Sequence, residues 1–398
     1  MNAKAEPIGQ GSSMGANPVS LDGIDEIVGR VQKRFASRPK VAFAGFGNSG
    51  KSSLLNAIYG AEVARVSMKT DETQGPQVAE RFGIDFTDTP GVGTSRFSLD
   101  DVLGLGVLQE QHIILHVLNG AAAVSADDEK LARVIRGASA RSIVVINKID
   151  VLDEREKTEF LASVVARLGV TDNEVMMVSA KRGTGVPALV QRIADLLPSA
   201  LQDAFIAAQR ADSELKERRI RTLIYSKAGI CAAVALAPIP VADILVLTPI
   251  QMAMVATIGY FHGVEVSADR AGELMGVMGA GVGLREGARQ LVKLIPGYGL
   301  AVSAAIAFAG TVALGESAHL WFSRQMKVDA HELKELFSRV AGKAKQEYAL
   351  RADRESAGDR AVSERVRAEV DALRDKLQRG VISQAEFDRA MIEIERPR

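Results

Sequence analysis

The segment that most constrains this chain is Gly45-Phe-Gly-Asn-Ser-Gly50-Lys51-Ser52, a complete GxxxxGK[ST] pattern. It follows a short β-rich run, Lys40-Val-Ala-Phe-Ala-Gly45, and precedes Ser52-Ser-Leu-Leu-Asn-Ala-Ile-Tyr59, which has helical periodicity. In a strand–loop–helix setting, glycines let backbone N–H groups turn toward a phosphate, and the helix N-terminus adds a favourable dipole. Gly45, Phe46, Gly47, Asn48, Ser49, Gly50, Lys51, Ser52 and Ser53 are therefore candidate phosphate-binding positions. Lys51 suits the β/γ-phosphates, and the Ser52 hydroxyl suits a magnesium ion.

Three further motifs extend the site, and the second and third of them point to a guanine nucleotide. Ile84-Asp-Phe-Thr-Asp88 alternates like a strand and runs into Asp88-Thr-Pro-Gly91. An aspartate ending a strand beside a P-loop can hold the metal through water, and the Gly91 N–H can meet the γ-phosphate. Ser142-Ile-Val-Val-Ile146 reads as a buried strand leading to Asn147-Lys148-Ile149-Asp150. The Asp150 carboxylate can accept from the guanine N1–H and exocyclic amine, whereas adenine presents an acceptor at N1 and no such amine. Lys148 can pack over the base or the P-loop, and Asn147 can tie the loops together. Glu174-Val-Met-Met-Val178 leads into Ser179-Ala180-Lys181, whose backbone can cap the guanine O6.

With these residues in hand, the chain resembles the translation-factor-related GTPases, most closely the Era-like branch. The resemblance rests on GxxNxGKSxLLN from Gly45 to Asn56, DTPG, NKxD and SAK, and covers about residues 39–198. It implies a GTPase hydrolysing GTP to GDP and phosphate with Mg²⁺ held by Ser52, Thr73 and Asp88, and with Lys51, Thr73 and Gly91 serving catalysis. Thr73, in Asp71-Glu-Thr73-Gln, is preferred over Thr70 as the threonine that closes over the metal. The position after Gly91 is Val92, which cannot orient the attacking water as a glutamine does. In several Era-like relatives, an asparagine at the position of Asn48 helps bind potassium, and the resemblance extends that expectation here beside the plain alternative of a turn residue.

The order of elements predicts an α/β P-loop NTPase domain with a mostly parallel six-stranded sheet and helices on both faces. Strands are expected near 41–45, 77–82, 84–88, 112–118, 142–147 and 174–179, and helices near 51–59, 99–110, 127–137, 154–168 and 185–197. Residues 1–20 read as a flexible tail and 21–38 as an amphipathic helix with Leu21, Ile24, Ile27, Val28, Val31 and Phe35 on one face. His112 and His116 lack a third ligand nearby in sequence and read as packed or edge histidines rather than a metal site. His331-Glu332 lacks the second histidine of a zinc motif. Net charge is zero and no aromatic-interleaved basic tract occurs, so no specific nucleic acid is indicated. The single cysteine, Cys231, excludes an internal disulfide framework.

The second half changes character. Residues 199–222 are expected as one amphipathic helix ending in Lys216-Glu-Arg-Arg-Ile-Arg221, a basic cluster suited to a solvated face or to anionic lipid. Ile244–Val264 and Leu294–Gly315 contain no Asp, Glu, Lys or Arg and approach the ~20 residues needed to cross a bilayer. A membrane-inserted hairpin within 228–315, both termini cytoplasmic, is the favoured expectation; a buried helical bundle is the alternative. Leu236-Ala-Pro-Ile-Pro-Val-Ala-Asp243, Leu247-Thr-Pro-Ile-Gln-Met-Ala-Met254 and Ile295-Pro-Gly-Tyr-Gly299 resemble the YcjF-type domain of unknown function, which is found fused to Era-like GTPases. That resemblance marks 199–325 as an apolar all-α domain. Residues 326–398 are charged and helical, and close on a hairpin with a Ser383-x-x-Glu386 capping box, suited to oligomerisation.

The sequence thus predicts a cytoplasmic regulatory GTPase at the inner face of a membrane, binding GTP/GDP and coupling nucleotide state to its helical half. The other reading is a nucleotide-binding membrane or assembly scaffold with little turnover. A homodimer or an activating partner acting in trans is a further expectation.

Overall fold

In the computed structural model, residues 21–36, 38–60, 77–81, 84–88, 108–138, 141–235, 243–264, 299–352 and 357–394 are described. Strands β1 (Lys40–Ala44), β2 (Gln77–Arg81), β3 (Ile84–Asp88), β4 (Ile113–Asn119), β5 (Arg141–Asn147) and β6 (Val175–Met177) form one sheet in the order β2-β3-β1-β4-β5-β6. Only the β2–β3 pair is antiparallel; the other four pairings are parallel. Strands covered on both faces read as continuous apolar runs, and β4 shows how the two faces are divided. Ile113, Leu115 and Val117 join the cluster beneath α2 (Lys51–Tyr59) and α5 (Val186–Leu196). Ile114 and Leu118 face the other way, toward the clusters under α3 (Ala126–Gly137) and α4 (Glu154–Leu168).

Helix starts follow local chemistry. Ser125 and Asp128 form a capping box at α3, and Asp153 and Glu156 form another at α4, each satisfying otherwise unpaired N–H groups. The expected helix over 99–110 falls mainly outside the described residues; within it, 108–110 form a turn. The N-terminal helix α1 (Leu21–Ala36) buries Ile27, Val28, Val31 and Phe35, its predicted apolar face.

The expected single helix over 199–222 is two helices, α6 (Ser199–Ala208) and α7 (Ser213–Ala235). Between them, the buried Gln209 side chain donates to Asp212 O at 2.7 Å and accepts from Asp212 N at 2.8 Å, closing a tight turn. Asp212 Oδ1 then accepts from Leu215 N in the first turn of α7. The basic cluster at the start of α7 largely serves internal contacts. Lys216 Nζ donates to Ala207 O, Arg218 to Gln191 of α5 and Arg219 to Asp203 of α6.

The first uncharged span lies mostly in α8 (Asp243–Phe261), and residues 299–315 of the second lie in α9 (Gly299–Ser323), residues 294–298 being outside the described residues. Helix α9 lies against α7, α8 and α10 (Ala330–Ala352), and α8 also packs on α1. Met252 through Ala256 are all buried, so protein covers α8 on every side. A helix apolar all round is either central in a protein or in lipid, and here the cover is protein. Among the described residues no helix is long and apolar enough to cross a membrane. Over these described residues the packing is that of the bundle alternative; residues 236–242 and 265–298, which the expected hairpin also includes, lie outside the described residues. Phe35 of α1 stacks on Tyr260 at 4.7 Å and meets Phe261 edge-on at 6.0 Å, sealing the joint.

The C-terminal hairpin, α11 (Ala357–Gln378) and α12 (Gln384–Glu393), turns its apolar face inward. The expected capping box is present between Ser383 and Glu386. Val366, Val370, Phe387, Met391 and Ile394 pack on Ile230, Val234 and Ile250, covering part of the chain's own bundle.

His116 is buried in β4, with neither ring nitrogen hydrogen-bonded among the described residues. Burial pushes its imidazole down to about 4, partly opposed by Asp128. The unfolded chain, with an ordinary histidine near 6.5, then binds more protons between those values, so this contribution is present above pH 6.5 and lost as pH falls toward 4. At pH 5 the loss from His116 is about 2 kcal/mol. Urea unfolding at pH 7.5 and 5.0 should show that decline, and His116→Leu should reduce it; an unchanged pH slope in the variant would count against a buried neutral imidazole.

Candidate functional site

The P-loop leaves β1 at Ala44 and enters α2 at Lys51. A Cβ at Gly45 would come within 2.3 Å of Val117 O on the neighbouring strand, so only glycine permits this approach. Gly50 has φ +87°, and a Cβ there would meet Asn147 Nδ2 at 2.4 Å. Lys51 is buried, its Nζ donating to Gly45 O at 3.0 Å and Phe46 O at 3.3 Å, so its ammonium is held within the curve of the loop. Ser49 is buried, Ser52 half-buried on the first turn of α2, and Gly47, Asn48 and Ser53 are exposed.

Asn147 ends β5 with its side chain buried between two loops. Its Nδ2 donates to Ser49 O at 3.0 Å and Gly50 O at 3.4 Å, while Oδ1 accepts from Ala180 N at 3.0 Å. One amide thus joins the P-loop to the Ser179–Lys181 turn. Lys148 has φ +64° and reaches back over the P-loop, its Nζ donating to Asn48 O at 2.6 Å and Oδ1 at 3.0 Å. Asn48 itself has φ +64°, a conformation that asparagine tolerates better than most residues.

Asp150 sits in the turn Ile149–Val151. Its Oδ1 accepts from Ser179 Oγ at 2.6 Å, and Arg182 Nε lies 3.9 Å from Oδ2. The Ser179 hydrogen bond is the main cause holding this carboxyl below its usual range, helped by its own backbone and the charges of Arg182 and Lys181. Ser179 Oγ also accepts from Arg182 N, and Ser179 N donates to Thr184 O. Arg182 and Thr184 were not singled out in the sequence; the two turns that bring them to Ser179 carry no motif of their own. Ala180 is half-buried and Lys181 exposed beside them.

The candidate metal residues are only partly placed. Asp88 lies opposite Phe43 in the β1–β3 register, at the same sheet edge from which the P-loop departs. Thr70, Thr73, Gly91 and Val92 lie outside the described residues. A serine hydroxyl and a carboxylate at this edge are hard oxygen donors of the kind magnesium prefers. His112 Nδ1 accepts from Lys40 N at 2.9 Å, and among the described residues no group of three or more metal-binding side chains assembles.

Known proteins place this domain. The 50S ribosome-binding GTPase family matches residues 40–148. The chain is 32% identical over 165 residues to the GTPase Era of Carboxydothermus hydrogenoformans, covering 40% of this chain and 55% of that protein. It is 31% identical over 181 residues to the GTPase Era of Maricaulis maris, covering 39% and 56%. A solved structure of Era with MgGDPNP and nucleotides 1506–1542 of 16S ribosomal RNA is 28% identical, covering 41% of this chain and 57% of that one, with a TM-score of 0.33. The chain spans about half the length of the curated relatives it matches. Its N-terminal half thus carries an Era-like P-loop GTPase domain, joined to a mostly helical remainder.

Proposed function

We propose that this chain is a guanine-nucleotide-binding regulatory GTPase, hydrolysing GTP to GDP and phosphate and coupling nucleotide state to its helical half. The observation carrying this reading is the Asn147 amide, which joins the phosphate-binding loop to the turn whose Ser179 fixes the Asp150 carboxylate. Phosphate and base recognition are thereby set at one fixed spacing.

In this reading the P-loop N–H groups and Lys51 hold the phosphates, and Asp150 accepts from the guanine N1–H and amine. Its lowered pKa keeps it an acceptor throughout the neutral range. The Ala180 and Lys181 backbone faces the guanine O6, and the Lys148 stem covers the base. Ser52 and Asp88 would hold Mg²⁺, with Thr73 joining them for GTP, and Gly91 would contact the γ-phosphate. The metal supplies charge neutralisation for the phosphate oxygens.

Val92 leaves the attacking water without a glutamine partner, and a cation near Asn48 fills part of that role. Asn48 O and Oδ1 already converge on one cation, the Lys148 ammonium. Hydrolysis should accordingly run faster in potassium than in sodium, and Asn48→Ala should remove the difference. Equal rates in the two salts would assign the missing charge to a protein partner.

Base selectivity tests the main reading. Asp150→Asn should weaken GTP binding by roughly 30–150-fold, because charge-assisted hydrogen bonds are lost. Affinity for xanthosine triphosphate should rise, since the amide can donate to the xanthine 2-oxo group. Competition binding against GTP, XTP and ATP reads this directly, and a variant with intact guanine preference would show that the base is recognised elsewhere.

A further inference from the structure

The helical half meets the GTPase domain through a short helix, α6. Helix α6 lies against β3, the strand ending at Asp88. Its Phe205 meets Tyr59, at the end of α2, edge-on at 6.2 Å. Just beyond α6, Arg210 N donates to Ile58 O at 2.8 Å, taking up a carbonyl in the last turn of the P-loop helix. One element therefore touches both the helix that begins at Lys51 and the strand that ends at Asp88.

The same helix is pinned to the bundle by a buried carboxylate. Asp203 Oδ2 accepts from Arg34 of α1 at 2.8 Å, and Oδ1 accepts from Arg219 of α7 at 2.6 Å. Each oxygen serves a different helix. A buried carboxylate with two arginine partners is costly to uncouple, because removing either arm leaves desolvated charge behind. Helix α1 in turn stacks Phe35 on the end of α8, and α7 lies along α9.

We propose that α6 is the joint through which the nucleotide site sets the packing of the helical bundle, with Asp203 as its pin. The proposal rests on reading the chain as a nucleotide-dependent GTPase. A displacement of β3 or α2 is delivered to α6 by direct contact, and Asp203 converts it into paired movement of α1 and α7. Without the pin, α6 can shift while the two outer helices stay in place. Coupling then fails although the phosphate- and base-binding residues, within 45–53, 147–150 and 179–181, are untouched. In this assignment Asp203 is a positioning residue, acting on the bundle through Arg34 and Arg219.

Trp321 of α9 is the single tryptophan and lies in the same apolar cluster as Phe205, so its emission reports on the bundle. The test uses the full chain with Mg²⁺ and either GDP or a non-hydrolysable GTP analogue, recording Trp321 emission and, separately, nucleotide affinity. The wild type should give two distinct emission states. Asp203→Asn should keep both affinities within about twofold while losing most of the emission difference. Arg34→Gln, which leaves the Arg219 arm in place, should lose part of it and decides the matter if Asp203→Asn does not fold. Tight binding in the wild type with one unchanging emission would overturn the joint, as would variants that keep the full difference. Absence of guanine-nucleotide binding in the wild type would instead overturn the functional reading beneath it.

Discussion

The amide of Asn147 is the constraint on which the nucleotide-binding end depends. A single buried side chain satisfies the carbonyls of Ser49 and Gly50 and the N–H of Ala180. These groups belong to loops leaving β1 and β6, at the same edge of the sheet but separated by β4 and β5. Parallel strands deliver all their loops to one edge, but delivery alone does not fix loop spacing to the precision that a bound nucleotide needs. A side chain with two donors and an acceptor in fixed geometry does so. Gly50 is glycine partly for this reason, since a Cβ would displace the Asn147 amide.

The helical half is built on a different physical basis. Its central helices α8 and α9 are apolar all round because α1, α7 and α10 wrap them. The apolar cluster beneath the sheet continues without a break into the bundle, from Val41 and Leu54 through Phe205 to Met254, Phe308 and Trp321. Polar features hold this continuous core in register. Asp203 joins three helices, Gln251 Nε2 donates to Thr311 Oγ1 at 2.9 Å, and His262 Nε2 lies 2.9 Å from His319 Nδ1. Burial, the neighbouring His319 and Lys216 push the His262 imidazole down to about 4, so that ring packs as a neutral group.

The nucleotide site was largely legible in sequence because its chemistry is contiguous. Gly45 to Ser52, Asn147 to Asp150 and Ser179 to Lys181 each group their candidate residues within a few positions, between elements whose apolar runs are clear. What was not legible depended on tertiary partners. Hydropathy is the same whether lipid or protein covers Ile244–Val264, so the bundle could not be told from a membrane hairpin. The break between α6 and α7 is made by the Gln209 amide closing on Asp212, in a segment whose helical pattern otherwise runs on. The pairing of Asp203 with Arg34 spans 169 residues, which no local pattern foretells. Thr73, assigned by resemblance, and Gly91, assigned from its motif, lie outside the described residues.

The central claim is that this P-loop turns over GTP. Multiple-turnover release of inorganic phosphate from GTP by the purified full chain, in potassium and magnesium, measures it most directly with Lys51→Ala as the control. The account predicts release beyond one equivalent per chain, dependent on magnesium and abolished in the Lys51 variant while its far-ultraviolet circular dichroism stays native. Release no faster than in the variant, with GTP bound at full occupancy, would contradict it and leave a nucleotide-binding scaffold.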